Sequence, residues 1–126
     1  MKTLLLTCLL AGCMSHGHWH DHRQLVLTYH DNGKVDERGY IAVNRSTAET
    51  YRSGFWTRWH DNGQVYMEGP YVDGERDGLW RSWHDNGASR SKGYYRGGLL
   101  EGVWTYYDKQ GDVSKVVTYR GGELIN

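Results

Sequence analysis

His60-Asp61-Asn62-Gly63 decides how the rest of this chain is read. The same tetrapeptide stands at residues 30–33 and 84–87, and a degenerate copy, Asp108-Lys109-Gln110-Gly111, follows. The last three copies are 24 residues apart, and their flanks repeat with them. Phe55-Trp56, Leu79-Trp80 and Val103-Trp104 align, as do Trp59, Trp83 and Tyr107, then Tyr71, Tyr95 and Tyr119, then Gly74, Gly98 and Gly122. A fixed period of this length marks a repeat architecture and outranks any local propensity.

Each unit reads as one β-hairpin. Residues 55–60 are aromatic and β-branched, which suits a strand. Asp61-Asn62-Gly63 then reads as the turn, because Asn-Gly between two such runs is a hairpin signal whose residues both tolerate positive φ, and the Asp side chain can accept a backbone N–H two residues on. Residues 64–72 return, and Asp73-Gly74 opens the corner into the next copy. A lone hairpin is marginal in water, so the copies must stack. The expected fold is all-β: tandem hairpins in an extended antiparallel sheet or solenoid. Trp59, Trp83 and Tyr107 are expected to form one ladder, and Tyr71, Tyr95 and Tyr119 another. Trp56 and Trp59 are three apart, so either both faces carry aromatics or a bulge re-aims one ring.

Composition agrees with a thin, aromatic β structure. The chain has 126 residues, enough for one domain, with 6 Trp, 10 Tyr and a single Phe, 17 Gly and 1 Pro. Lys+Arg and Asp+Glu number 15 each. That balance argues against a nucleic-acid binder, which needs a basic excess to neutralise phosphates.

The N-terminus reads as an address. Met1-Lys2 is followed by a Leu-rich apolar run over residues 3–12, too short to span a bilayer, which fits a secretory signal peptide. Leu10-Ala11-Gly12-Cys13 resembles the lipobox of bacterial lipoproteins. The resemblance implies cleavage before Cys13, lipidation (palmitate included) of Cys13, and a membrane anchor; the alternatives are an ordinary signal peptide, or a buried apolar N-terminal strand with an incidental cysteine. Met14 at the following position implies the outer membrane, facing the periplasm. Residues 1–12 are then the signal peptide, 13–24 a lipidated, His-rich tether and 25–126 the repeat domain. Cys8 leaves with the peptide, so the mature chain has no disulfide.

His16, His18, His20 and His22 alternate within the tether. In an extended chain they share a face and could chelate Zn²⁺, Cu²⁺ or Ni²⁺. The alternative is a polar tether with no resident metal. Neither a cofactor nor an enzyme activity is expected. Three equivalent His-Asp pairs strung along an array read as turn chemistry rather than as one catalytic pocket, and there is no nucleophile elbow, phosphate loop or Cys-x-x-Cys.

Gly-x-Trp-x-x-Trp/Tyr, then Asn-Gly, then an aromatic residue and Gly, resembles the MORN-variant repeat family over residues 54–124, and partly over 25–40. The resemblance implies a binding scaffold without shared catalytic residues; some members are bacterial envelope lipoproteins, and some are labelled antitoxin components. Three roles follow: a lipid-anchored scaffold for an envelope protein or cell-wall component, a neutraliser of a cognate protein, or a metal-handling protein using the His tract. The first copy departs from the period by six extra residues after Tyr40 and lacks the Trp pair, as a terminal cap would. Its Asn44-Arg45-Ser46 sequon is read as chance, in a tolerant loop. Partner contacts are expected where equivalent positions differ, because packing does not dictate the residue there. Those columns are Arg58, Ser82 and Tyr106, and Tyr66, Arg90 and Ser114. Arg58, Tyr66, Arg90 and Tyr106 are therefore the expected contact residues, since Arg and Tyr are favoured anchors.

Overall fold

The computed structural model describes residues 2–4 and 23–125. These form one 11-stranded antiparallel sheet and no helix. A short β1 (Lys2–Leu4) lies within the segment read as a signal peptide and pairs with β2 (Gln24–Tyr29). Four hairpins then follow in chain order. They are β2 with β3 (Val35–Val43), β4 (Thr50–Trp59) with β5 (Val65–Val72), β7 (Gly78–Trp83) with β8 (Ser89–Arg96), and β9 (Leu99–Tyr107) with β10 (Val113–Arg120). Two-residue strands β6 (Glu75–Arg76) and β11 (Glu123–Leu124) complete the corners.

The turn falls on Asp61-Asn62-Gly63, where the sequence places it. At the Asn-Gly turn, Gly63 N–H donates to His60 O at 3.0 Å and His60 N–H to Gln64 O at 2.7 Å. Only Gly63 has positive φ, at 89°. The central pair is thus Asp61-Asn62, and the glycine closes a three-residue loop. The two-residue turn with both φ positive is instead the corner, Asp73-Gly74 at 49° and 83°. The side-chain acceptor is Asn rather than Asp: Asn62 Oδ1 takes the Gln64 N–H at 2.9 Å.

Three residues past the glycine of each of these turns the register slips, leaving an extra residue on the returning strand at Asp36, Tyr66, Arg90 and Ser114. The outgoing strand bulges where residues 54–56 oppose Gly39, but from Trp56 to Trp59 it alternates plainly, so these two rings take opposite faces. One face holds the core, with Trp56, Trp80 and Trp104 each 4% exposed. The opposite face carries Phe55 and Tyr94 in the open, with Pro70 and Leu79 half-buried.

The continuous ladder is not the expected one. Rings run Trp56–Tyr71–Trp80–Tyr95–Trp104 with centroid spacings of 6.1, 5.2, 6.1 and 5.1 Å, all edge to face. Tyr71, Tyr95 and Tyr119 do not form the ladder expected of them: Tyr71 and Tyr95 alternate with Trp56, Trp80 and Trp104 rather than stacking on each other, and Trp59, Trp83 and Tyr107 lie outside the ladder. The reason is a column of glycines. Trp56 lies on Gly39, Trp80 on Gly69 and Trp104 on Gly93, each glycine in the hairpin before, and a β-carbon at any of them would overlap the indole. The indole N–H then donates to the carbonyl one residue on, at Tyr40, Pro70 and Tyr94, over 3.0–3.1 Å.

This slot also explains the ends. Val26, not Trp, stands in the Trp column opposite Gly39, because no hairpin precedes it within the repeat array. Val117, not Gly, stands opposite Trp104 and is 7% exposed, because no later Trp lies on it among the described residues. The six extra residues of the first copy lengthen β3 and β4 and close a loop in which Asn44 Oδ1 accepts the N–H groups of Ser46 and Thr47. Asn44 therefore holds its loop together and is not a tolerant position.

Candidate functional site

The His-Asp-Asn-Gly motif joins one hairpin to the next. His30, His60 and His84 each point Nε2 at a carbonyl oxygen, of Trp59, Trp83 and Tyr107, at 2.9 Å. A carbonyl only accepts, so Nε2 carries the hydrogen. Asn32, Asn62 and Asn86 donate to the carbonyls of Asp61, Asp85 and Lys109 at 2.7, 2.6 and 2.8 Å. Every such bond reaches forward by one copy. The fourth copy has no later turn to reach among the described residues, and its Asp108 and Gln110 occupy the His and Asn positions without that duty. Asp108 Oδ1 instead accepts the N–H groups of Gln110 and Asp112 within its own turn. At the other end of the strands, Asp77 and Glu101 accept the corner N–H groups of Gly97 and Gly121 at 3.0 and 2.8 Å.

On the core face the ladder is roofed by arginine. The Arg52 guanidinium lies 4.0 Å from the Trp56 ring centroid and Arg76 lies 4.5 Å from that of Trp80. Each indole is thus held between a glycine backbone and a cation, a contact worth roughly 0.5–2 kcal/mol. Leu100 takes the third place and packs on the Trp80–Trp104 cluster. Arg52 forms a fork with Glu37, at 3.0 and 3.5 Å. Arg76 has no such carboxylate among the described residues: it donates to the Tyr95 hydroxyl at 3.1 Å and lies 3.7 Å from Met67 Sδ. Burial works against its charge, but the Tyr71 and Tyr95 hydroxyls outweigh that and leave its pKa above the ordinary value. Between these groups lies a cleft of about 210 Å³, bordered by Glu37, Arg52, Trp56, Arg58, Met67 and Arg76.

Beside the ladder runs a second row, made of the columns that vary. Arg58 Nε lies 3.4 Å from Asp36 Oδ1 and 3.9 Å from Glu37. Tyr66 stands between two guanidinium groups, with Arg58 and Arg90 each 5.9 Å from its ring centroid. Its ring also meets His60 at 4.8 Å, and its hydroxyl accepts from Arg90 at 3.5 Å. The structure therefore brings together Arg58, Tyr66 and Arg90, which sequence variation alone selected. It sets Tyr106 apart. That ring stacks on Trp104 at 6.2 Å and 29°, and burial, then the Tyr119 hydroxyl, pushes its pKa up to about 12. Arg58 is only half free, because Asp36 is 8% exposed and needs a counter-ion.

Cys13, His16, His18, His20 and His22 lie outside the described residues. Among the described residues no three His, Cys, Asp or Glu side chains are grouped as a metal site. Sequence reading missed the cleft: its signal was the column Glu37, Met67, Ser91, which varies as much as the two columns chosen. Residues 53–73 and 76–96 match the family described as the MORN repeat variant. No curated protein and no solved structure matches the chain.

Proposed function

We propose that this chain, whose central hairpins are MORN-variant repeats, is a lipid-anchored scaffold that binds a protein or cell-wall component in a bacterial envelope. Its repeated side chains are spent on joining hairpins: His and Asn at one end, Asp and Glu at the other, Trp on Gly between. The non-repeating ones are what a partner can read. The observation that carries this reading is the Arg58–Tyr66–Arg90 group, one aromatic ring flanked by two cations on an open sheet face. Arg and Tyr are the residue types that dominate protein contacts. Cys13 as the lipid attachment point and the outer membrane as address rest on the Leu10-Ala11-Gly12-Cys13 box and Met14. Cleavage there would remove β1 and leave β2 as the sheet edge, an edge that the cell must cover or tolerate.

The test is a photo-crosslinking residue placed at position 66 in the cell, compared with position 81 on the opposite face. A discrete crosslinked species from 66 and none from 81 supports the reading. Equal labelling from both faces contradicts it.

A further inference from the structure

The chain contains its own record of what belongs beside Arg76. Glu37, Met67 and Ser91 occupy one register position, opposite Arg58, Ser82 and Tyr106 respectively. Arg52 and Arg76 occupy another, each stacked on the tryptophan of its own hairpin. In the first hairpin pair the acidic residue meets the arginine, and Glu37 grips Arg52 in a two-pronged fork. In the second pair Met67 stands where the acid was. Arg76 keeps the stacked posture but finds a thioether at 3.7 Å, a weak acceptor. Of the three guanidinium groups bordering the cleft, Arg52 and Arg58 have carboxylate partners and Arg76 has none among the described residues. Three cations against Glu37 and the Asp36 that pairs with Arg58 leave one positive charge, that of Arg76, unbalanced at the cleft.

We infer that Arg76 and its cleft receive the carboxylate of an acidic side chain from a partner protein, in the role Glu37 plays for Arg52. This deepens the binding reading above and rests on it. Planar fork-to-carboxylate pairing favours Asp or Glu, because the stacked guanidinium presents a fixed edge of N–H donors. Met67 is the movable wall: an unbranched thioether has three rotatable bonds and yields where a branched side chain would not. The volume of about 210 Å³ admits a side chain rather than a whole small molecule.

The experiment uses the full chain, isotopically labelled, with the arginine Nε–Hε resonances as the readout. Hexaglutamate peptide should move the Arg76 signal and saturate, while hexaglutamine should not. Met67→Glu, which supplies the missing acid from within, should weaken hexaglutamate binding about tenfold or more, and Met67→Gln, which fills the same place without the charge, should weaken it far less. If Met67→Glu does not fold, Arg76→Lys serves instead: it keeps the charge, loses the fork and should weaken binding similarly. Hexaglutamate binding no tighter than hexaglutamine overturns the inference. So does undiminished binding by Met67→Glu, or by Arg76→Lys where it stands in. So does inorganic phosphate moving the Arg76 signal at the same concentration as the peptide, which would mark a general anion site. If these fail while position 66 still crosslinks to one species, the scaffold reading stands and only its acidic chemistry falls.

Discussion

Trp80 lies flat on Gly69, one hairpin back, with no room between them for a β-carbon. Its N–H donates to the next carbonyl, at Pro70, over 3.0 Å. The opposite ring face is covered by Arg76. One indole thereby ties two hairpins and buries itself in a sheet that has no second layer. Trp56 and Trp104 repeat the slot on Gly39 and Gly93, with Arg52 over the first ring and Leu100 in the corresponding place at the second.

Gly69→Ala should therefore behave as a core substitution. The added methyl must push Trp80 off its slot, at a cost of about 1–3 kcal/mol for overpacking. Val117→Gly, in the same column with no later Trp to lie on it, should gain nothing from the vacancy and lose a buried side chain. Urea midpoints measure both. A Gly69→Ala protein as stable as the parent would show that the slot does not set the spacing.

The histidines give a second prediction. His60→Ala with Asn62→Ala removes two bonds to the following turn and should cost about 1–3 kcal/mol. Gln110→Ala, in the turn that reaches no later copy, should stay within about 0.5 kcal/mol. If the His60 and Asn62 variant keeps full stability but loses partner capture, the motif is functional and the structural account of it is wrong.

Much of this was legible beforehand. The period gave the hairpins, their order and the atypical first copy, because a repeat must present the same groups at each interface. The wrong ladder was chosen because Trp59 and Trp56 are equally periodic, and only the glycine one hairpin back tells them apart. That relation is long-range: Gly69 and Trp80 belong to different hairpins, so no local pattern links them. Asp61-Asn62-Gly63 is legible as a turn, but that its glycine alone takes positive φ while both residues of Asp73-Gly74 do is settled by strand pairing and not by the dipeptides. Arg58, Tyr66 and Arg90 were found by asking which columns vary. Tyr106 was selected by the same rule although it packs on Trp104, because its column also closes the array.

Turn geometry sets a third prediction. Gly63 sits at φ 89°, so Gly63→Val is strained whatever space surrounds it. Asn44→Val should also be costly, since it removes the acceptor for two backbone N–H groups, at 2.9 and 3.2 Å. A cost of roughly 0.5–2 kcal/mol is expected by analogy with a lost cap. A fully neutral Asn44→Val would mean that water replaces the side chain without penalty.

Alkaline stability supplies a fourth. Unfolded tyrosine titrates near 10, while burial and the Tyr119 hydroxyl hold Tyr106 up at about 12. The folded chain thus keeps a proton that the unfolded chain gives up. That contribution is whole below pH 10 and is lost as pH rises towards 12. Between those values Tyr106→Phe should lose stability less steeply than the parent. Parallel urea-midpoint curves for the two would remove Tyr106 from the account.

The central claim is that periodic residues hold the array together while Tyr66 and Arg90 meet the partner. Arg58 is left in place for the decisive comparison because Asp36 depends on it. Tyr106 is left because Trp104 does. The measurement is affinity capture of the species crosslinked from position 66, by the parent and by Tyr66→Ser with Arg90→Ser, with urea midpoints taken on both. The account predicts a midpoint shift of no more than about 1 kcal/mol and a loss of most of the captured species. Full capture by the double variant at unchanged stability would contradict it.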